Sequence, residues 1–192
     1  MFCSGLVKVP IKLATAATVL NDHVYSPMNL IDSNIDTFYA SEDPQQPKKL
    51  LWVQLELSNV GVVSKIVVTN RRDGYGERFK DVTVRVGAQD VNNASSIEEQ
   101  QREIFNNELC NRYEGPGKTA EFIKISCDKP VVGKFIIIQI MNIEEVSHMN
   151  IAEVEVYGDG EYSKKLKIKY FARILGSNSL TNTINKLNVK NG

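Results

Sequence analysis

The sequence predicts an all-β domain of the sandwich or barrel type, on three observations. Short apolar runs alternate with a period of two, clusters of turn-forming residues separate them, and no long segment carries a helical stripe. In order along the chain, WVQLEL places Val53, Leu55 and Leu57 on one face against Gln54 and Glu56 on the other. VVSKIVVTN carries the β-branched run Ile66 to Thr69, and DVTVRV alternates again through Val82, Val84 and Val86. FIIIQI is apolar on both faces, as a central strand requires, and EVEVYG turns Val154 and Val156 inward. Asp43-Pro44, Gly74-Tyr75-Gly76, Gly115-Pro116-Gly117 and Asp128-Lys129-Pro130 read as turns between these runs. Ser96 to Phe105 reads as one short polar helix anchored by Ile97 and Ile104.

A chain of 192 residues is long enough for one domain with a real core. Its 23 basic and 23 acidic residues cancel, which gives no general attraction to nucleic acid or to an anionic membrane. No apolar run approaches the ~18 residues of a membrane span, so no membrane insertion is expected. The N-terminus lacks a charged leader, and Lys8, Pro10 and Lys12 interrupt its apolar stretch. Either the chain is cytosolic or its export signal is not in this sequence. Of the three cysteines, Cys110 and Cys127 lie 17 apart and can pair, with Cys3 left over; three unpaired thiols are the alternative. Asn93-Ala94-Ser95 is a glycosylation sequon, a triplet that also arises by chance. The domain is expected to close near Gly160, with 161–192 a basic linker and a mobile polar tail; the rival reading makes KLKIKYFARIL an edge strand.

One stretch stands apart. NRRDGYGERF, residues 70–79, gathers Arg71, Arg72, Asp73, Glu77 and Arg78 around Gly74, Tyr75 and Gly76. A charged hairpin tip is commonly just solvated. Here Arg71 and Asp73 share strand parity, Arg78 can swing back across the turn, and Tyr75 puts an aromatic ring between two glycines. Two guanidiniums held by one carboxylate would form a rigid fan of N–H donors suited to neighbouring hydroxyls, with Tyr75 against the apolar face of a sugar ring.

Arg71, Asp73 and Arg78, in the order Arg, any residue, Asp, four residues, Arg, resemble the fucose-binding motif of the F-type lectins (fucolectins). The flanking text agrees: VTNRRD before the turn, GERF…V.VRVG after it, and GKFIIIQI…AEVEVYG near the end. The resemblance covers about residues 5–158 and implies a jelly-roll β-sandwich, of the galactose-binding-domain type, with a sugar site in the loops at one end. It implies that Phe38 and Tyr39, helped by His23, wall a pocket for the sugar's methyl group; the alternatives are core packing for the two rings and a plain exposed loop position for His23. Two departures accompany it. The family motif opens with a His separated from the first Arg by 26 intervening residues, and the corresponding position before Arg71 is Pro44. The family often carries two adjacent cysteines after the Asp, where Gly74 and Tyr75 stand here.

The resemblance further implies a structural calcium ion, held mainly by main-chain carbonyls at Asn29, Asp32, Asn34, Ser41 and Ala152 and by the Glu153 side chain. An EF-hand reading of DSNID fails, because Thr37 stands where its Gly belongs and Asp43 where its Glu belongs. Cys110 and Cys127 match a family disulfide, which implies an extracellular address.

The expected function is therefore non-enzymatic binding of fucosylated or similar glycans by a domain containing structural calcium, with sites clustered in a homo-oligomer or tandem array because one such site binds weakly. The alternative is a discoidin-like adhesion or scaffolding domain for protein or lipid, since the fold hosts both. No nucleophile elbow, HExxH or phosphate loop appears, and arginines beside Asp73 and Glu77 would keep both carboxylates ionised, leaving no general acid.

Overall fold

The strands run β1 (Val7–Lys8), β2 (Ile11–Ala16), β3 (Tyr39–Ala40), β4 (Leu51–Thr69), β5 (Val82–Gly87), β6 (Glu108–Tyr113), β7 (Phe122–Ile140), β8 (Asn150–Ile151) and β9 (Glu153–Asp159), with two helices, α1 (Asp22–Tyr25) and α2 (Ile97–Asn106). These elements come from a computed structural model of the chain, which describes residues 5–43, 49–143 and 148–159. The expectation for 161–192, Pro44 and Cys3 lie outside the described residues.

WVQLEL and VVSKIVVTN fuse into the single strand β4, with its register shifted between Glu56 and Gly61. Residues 51–56 pair with β7 at 135–140 and with β2; residues 61–69 pair with β7 at 122–133 and with β9. Both nineteen-residue strands thus pass from one layer to the other, and the hydrogen-bonded order is β1-β9-β4-β7-β5-β6, with β2 also on β4. Strands β3 and β8 form a separate pair. The Asp128-Lys129-Pro130 cluster, expected as a turn, lies inside β7. It falls where the ladder to β4 skips from Val131 to Ser126, an irregularity that accommodates a proline.

The core is what the alternation dictates. Leu55, Leu57, Ile66, Val68, Val84, Val86, Ile136, Ile138, Val154 and Val156 are buried between the layers. Ile137 points the other way, into a small cluster with Trp52, Val91 and Ile104 under α2. Ile104 anchors that helix as expected, whereas Ile97 stays exposed. Ser96 caps it, accepting from the Glu99 N–H at 3.1 Å, while Glu99 accepts from the Ser95 N–H at 2.8 Å. Cys110 and Cys127 form a disulfide that ties β6 to β7, so the free-thiol alternative falls. This is a jelly-roll β-sandwich. Among the described residues no helix is long and apolar enough to cross a membrane.

The connections that matter converge at one end. The 70–81 loop is stitched to the β6–β7 loop by Asn70 N–H to Glu121 O, Ala120 N–H to Arg71 O and Asp81 N–H to Glu114 O, and Ala152 N–H reaches Thr69 O beside it.

Candidate functional site

Asn70, buried where β4 ends, shapes the charged turn. Its Oδ1 accepts from the Arg71 N–H at 3.0 Å, and its Nδ2 donates to the Gly76 carbonyl at 2.8 Å and to that of Lys118 at 3.2 Å. A side chain at position 76 would meet the Thr119 backbone nitrogen at 2.2 Å, so the turn can press against its neighbour only with glycine there. Tyr75 adopts the left-handed region, φ 58°, which costs an L-residue roughly 1–2 kcal/mol and holds its ring out at 53% exposure.

Arg71 is the centre of what this turn builds. It is 8% exposed. Its Nε and Nη2 donate to the two carboxylate oxygens of Asp73, each at 2.6 Å, and its Nη1 donates to Asn150 Oδ1 at 3.3 Å. Its guanidinium lies 4.1 Å from the Phe38 ring centroid and 5.1 Å from that of Tyr75. Arginine has five N–H donors, and these partners take three. Among the described residues two donors remain without a partner, on a group locked in plane by a carboxylate, an amide and two rings.

The expectation of two guanidiniums sharing one carboxylate needs correcting. Asp73 gives both oxygens to Arg71, and Arg78 joins the group through Tyr75, its guanidinium 4.2 Å from the ring centroid. The second cation settles on the nearby π face instead, and the bidentate pair leaves a lone pair on each Asp73 oxygen open to a further donor. The Arg71 hydrogen bonds hold the Asp73 carboxyl below its usual range. The pair is therefore intact above the ordinary value of 3.8 and is lost only as pH falls through the lower folded value. In a ¹³C carboxyl titration Asp73 should have its midpoint below 3.8, and Arg71→Ala should move that midpoint upward.

A depression of about 300 Å³ opens beside the pair, lined by Ile35, Asp36, Phe38, Arg72 and Asp73. Two of these lining residues pair with each other, Arg72 Nη1 meeting Asp36 Oδ1 at 2.8 Å. Phe38 supplies its aromatic wall, backed by Tyr25 at 5.0 Å between ring centroids. Tyr39 does not take part. It is fully buried, its hydroxyl donates to Thr18 O at 2.7 Å, and burial pushes its phenol pKa well up. Phe38, just before β3, lines the depression, whereas Tyr39, the first residue of that strand, is turned into the core. His23 sits on α1, exposed, and its backbone N–H donates to Asn21 Oδ1; no described contact brings its ring to the depression.

Nothing in the sequence singles out the parts played by Ile35, Asn70, His148 or Asn150. Residues 148–150 run beside Ser41: Ser41 N–H donates to Met149 O at 3.0 Å, and Met149 N–H to Ser41 Oγ at 2.8 Å. Burial, reinforced by Arg78 and Arg71 and opposed by Asp43, holds the His148 imidazole below its usual value, hence neutral at pH 7.

The loop expected to carry calcium folds tightly behind Phe38. Asn29 Nδ2 donates to the carbonyls of Val24 and Phe38, both at 3.0 Å. Asp32 accepts from Asn34 N–H at 2.8 Å and Thr37 Oγ1 at 2.7 Å, while the Asn34 carbonyl accepts from the Thr37 hydroxyl and N–H. Glu153, 7% exposed, accepts from Ser33 N–H at 3.0 Å and lies near Asp32. Burial first, and Asp32 after it, push its carboxyl up to about 7. A buried carboxylate facing a second acid beside a loop of carbonyls is a donor set that suits a hard cation. Among the described residues no three His, Cys, Asp or Glu side chains converge, so backbone oxygens would have to complete such a site.

Comparison with known proteins agrees with this architecture. The chain is 26% identical over 133 residues to Fucolectin-4 of Anguilla japonica, a match covering 67% of this chain and 64% of that protein, and thus less than two thirds of the relative's length. It is 25% identical over 133 residues to Fucolectin of Anguilla anguilla, covering 68% and 75%. Among solved structures it resembles the fucolectin from striped bass (Morone saxatilis) serum, with TM-score 0.62, 19% identity, and coverage of 81% of this chain and 52% of that one. It also resembles the family 32 carbohydrate-binding module of C. perfringens NanJ in complex with galactose, with TM-score 0.59, 17% identity, and coverage of 80% and 99%. The F5/8 type C domain pattern matches residues 14–155, which is 142 of the chain's 192 residues. The chain belongs to the F5/8 type C domain family.

Proposed function

We propose that this domain is a non-catalytic lectin that binds a saccharide over Phe38, with vicinal hydroxyls on the two open donors of Arg71. The observation that carries the reading is Arg71 itself: nearly buried, held in plane by Asp73 and Asn150, and flanked by two rings, yet with two donors unspent among the described residues. A preorganised planar donor pair beside an aromatic face matches a sugar, which offers adjacent oxygens on one edge and C–H groups on the other. Asp73, kept ionised, accepts a hydroxyl proton but cannot serve as a general acid. The likeness to fucolectins supports a fucose-like sugar as the ligand, and the disulfide supports an extracellular setting; clustering of such weak sites in an oligomer or array would raise the affinity. A glycan array with Arg71→Ala as control tests this. Signal on fucosylated or related glycans that the variant loses supports it, and equal signal from both proteins defeats it.

Calcium belongs to the same proposal. Glu153 and the carbonyls at Asn29, Asp32, Asn34, Ser41 and Ala152 would hold it, neutralising Glu153 and Asp32 and pinning the loop that presents Phe38. Calcium at a hundredfold excess over its dissociation constant would contribute about 2.7 kcal/mol. That corresponds to a thermal midpoint higher by roughly 5–10 °C at this size. Scanning calorimetry should show the rise in the wild type and not in Glu153→Gln.

One observation favours the second reading, adhesion to protein or lipid. Leu20, Val24 and Met28 are exposed on and around α1, near the same rim. Sedimentation with phosphatidylserine vesicles, unaffected by Arg71→Ala, would select that reading over the first.

A further inference from the structure

Asn93-Ala94-Ser95 is the one Asn-X-Ser/Thr triplet in the sequence, and neither position 94 nor position 96 is proline. Chance alone produces such triplets, so what decides is where the fold puts this one. It follows β5, on a short 3₁₀ turn, Val91–Asn93, that enters the connection to α2. The turn is pinned from below. Val91 is fully buried in the cluster under α2, its N–H donates to Gln54 Oε1 at 2.8 Å, and Asp90 Oδ1 accepts from Gln54 Nε2 at 2.7 Å and from the Asn92 N–H at 3.0 Å. The Asn92 side chain is spent, its Nδ2 donating to Thr15 Oγ1 at 3.0 Å and to Asp90 Oδ1 at 2.8 Å. Asn93 differs: it stands exposed, and among the described residues no hydrogen bond takes its side-chain amide. Beside it lies a depression of about 360 Å³, whose lining includes Asp90, Asn93, Glu99, Glu103 and Phe135 and shares no residue with the depression beside Asp73. Phe135 offers a half-buried ring, and Asp90 keeps its Oδ2 open among the described residues, since its side-chain bonds all fall on Oδ1. An aromatic face beside an unspent acceptor suits a pyranose ring carrying an acetamido N–H.

We propose that Asn93 carries an N-linked glycan whose first sugar, an N-acetylhexosamine, occupies this depression. In the transfer, Asn93 Nδ2 forms a bond to the anomeric carbon of an oligosaccharide carried on a polyprenyl diphosphate. The bond from that carbon to the phosphate oxygen breaks, the diphosphate leaves with the electron pair, and the amide gives up one proton. The proposal rests on the extracellular setting that the disulfide supports, and not on saccharide binding at Arg71. Ser95 sets the timing. Its hydroxyl, the part of the acceptor that the transferring enzyme reads, is bonded in the folded domain to Glu99 Oε2 at 2.7 Å, and its N–H to the same oxygen at 2.8 Å. Transfer therefore comes before α2 closes on its cap, and the fold then seats what has been attached.

The test expresses the full chain behind a cleavable secretory leader in cultured animal cells, and reads wild type, Asn93→Gln and Ser95→Ala from the medium and from microsomes. A glycan-releasing amidase should lower the mass of the wild type and leave an aspartate at position 93, while both variants already run at the lower mass. Asn93→Gln keeps the Ser95–Glu99 bonds, so a folding defect does not account for its result. The seat is read separately. Wild type trimmed to a single sugar by an endoglycosidase should melt roughly 2–4 °C above the same chain made with carrier assembly blocked by tunicamycin. A wild type with Cys110 and Cys127 paired, as thiol alkylation shows, but with Asn93 unmodified overturns the proposal. Free thiols at both positions would defeat the extracellular setting and the glycan with it. Equal melting of the single-sugar and sugar-free chains overturns the seat, leaving the sugar in open solvent.

Discussion

Arg71→Ala should reduce saccharide affinity at least about tenfold while leaving the sandwich folded. Each charge-assisted hydrogen bond contributes roughly 1.5–3 kcal/mol, and the two open N–H groups leave together, so a tenfold loss is the lower bound. The fold should survive because the carboxylate stranded by the change is accessible: Asp73 has a 57% exposed side chain and can resolvate. Stability should fall modestly instead, from the lost stacking on Phe38 and Tyr75 and from Asn150 losing the partner on its Oδ1. Arg71→Lys should rescue little. An ammonium keeps the charge but can neither hold both oxygens of Asp73 in one plane nor lie flat between two rings. Titration calorimetry with methyl α-L-fucoside, alongside thermal melts of all three proteins, separates binding from folding. A lysine variant with wild-type affinity would show that charge alone suffices and that the planar donor pair is irrelevant.

The second large effect concerns stability. Replacing Cys110 and Cys127 together by alanine should destabilise the domain by about 3 kcal/mol, the chain-entropy value for a 17-residue loop. The thermal midpoint should fall by roughly 6–12 °C at this size. The bridge ties β6, an edge of the hydrogen-bonded order on which Cys110 is fully buried, to the long strand β7 through Cys127. Sugar affinity should be unchanged well below the midpoint, since neither cysteine touches the depression. Calorimetric melts with and without reductant give the comparison, and a midpoint unmoved by reductant would contradict it.

What the sequence disclosed follows from the range of each signal. Period-two alternation is local, so Val82, Val84 and Val86 or Val154 and Val156 declared their strands and their inward faces. The bends inside β4 and β7 did not declare themselves. A strand passing from one layer to the other carries polar and turn-forming residues at the crossing, and these read as a break. Arg71, Asp73 and Arg78 were legible as a group, but the manner of their coupling was not. That Asp73 takes one guanidinium bidentately and leaves the other to Tyr75 is decided by side-chain geometry. Phe38 and Tyr39 were inseparable by composition, and β3, only two residues long, offers too little alternation to tell which ring faces the core. Asn150 lies 79 positions from the Arg71 it contacts, and Asp36 lies 36 from Arg72. Contacts that distant leave no mark in local text, which is why the amide behind the clamp and the Arg72–Asp36 pair emerged only with the fold.

The most direct test of the account is a crystal structure of the domain grown with calcium and soaked with methyl α-L-fucoside. The account predicts a sugar ring against Phe38, with two adjacent oxygens within hydrogen-bond distance of Arg71 and a third at Asp73. A sugar bound away from the 70–78 turn, or Arg71 found turned from Asp73 with its guanidinium in solvent, would contradict it.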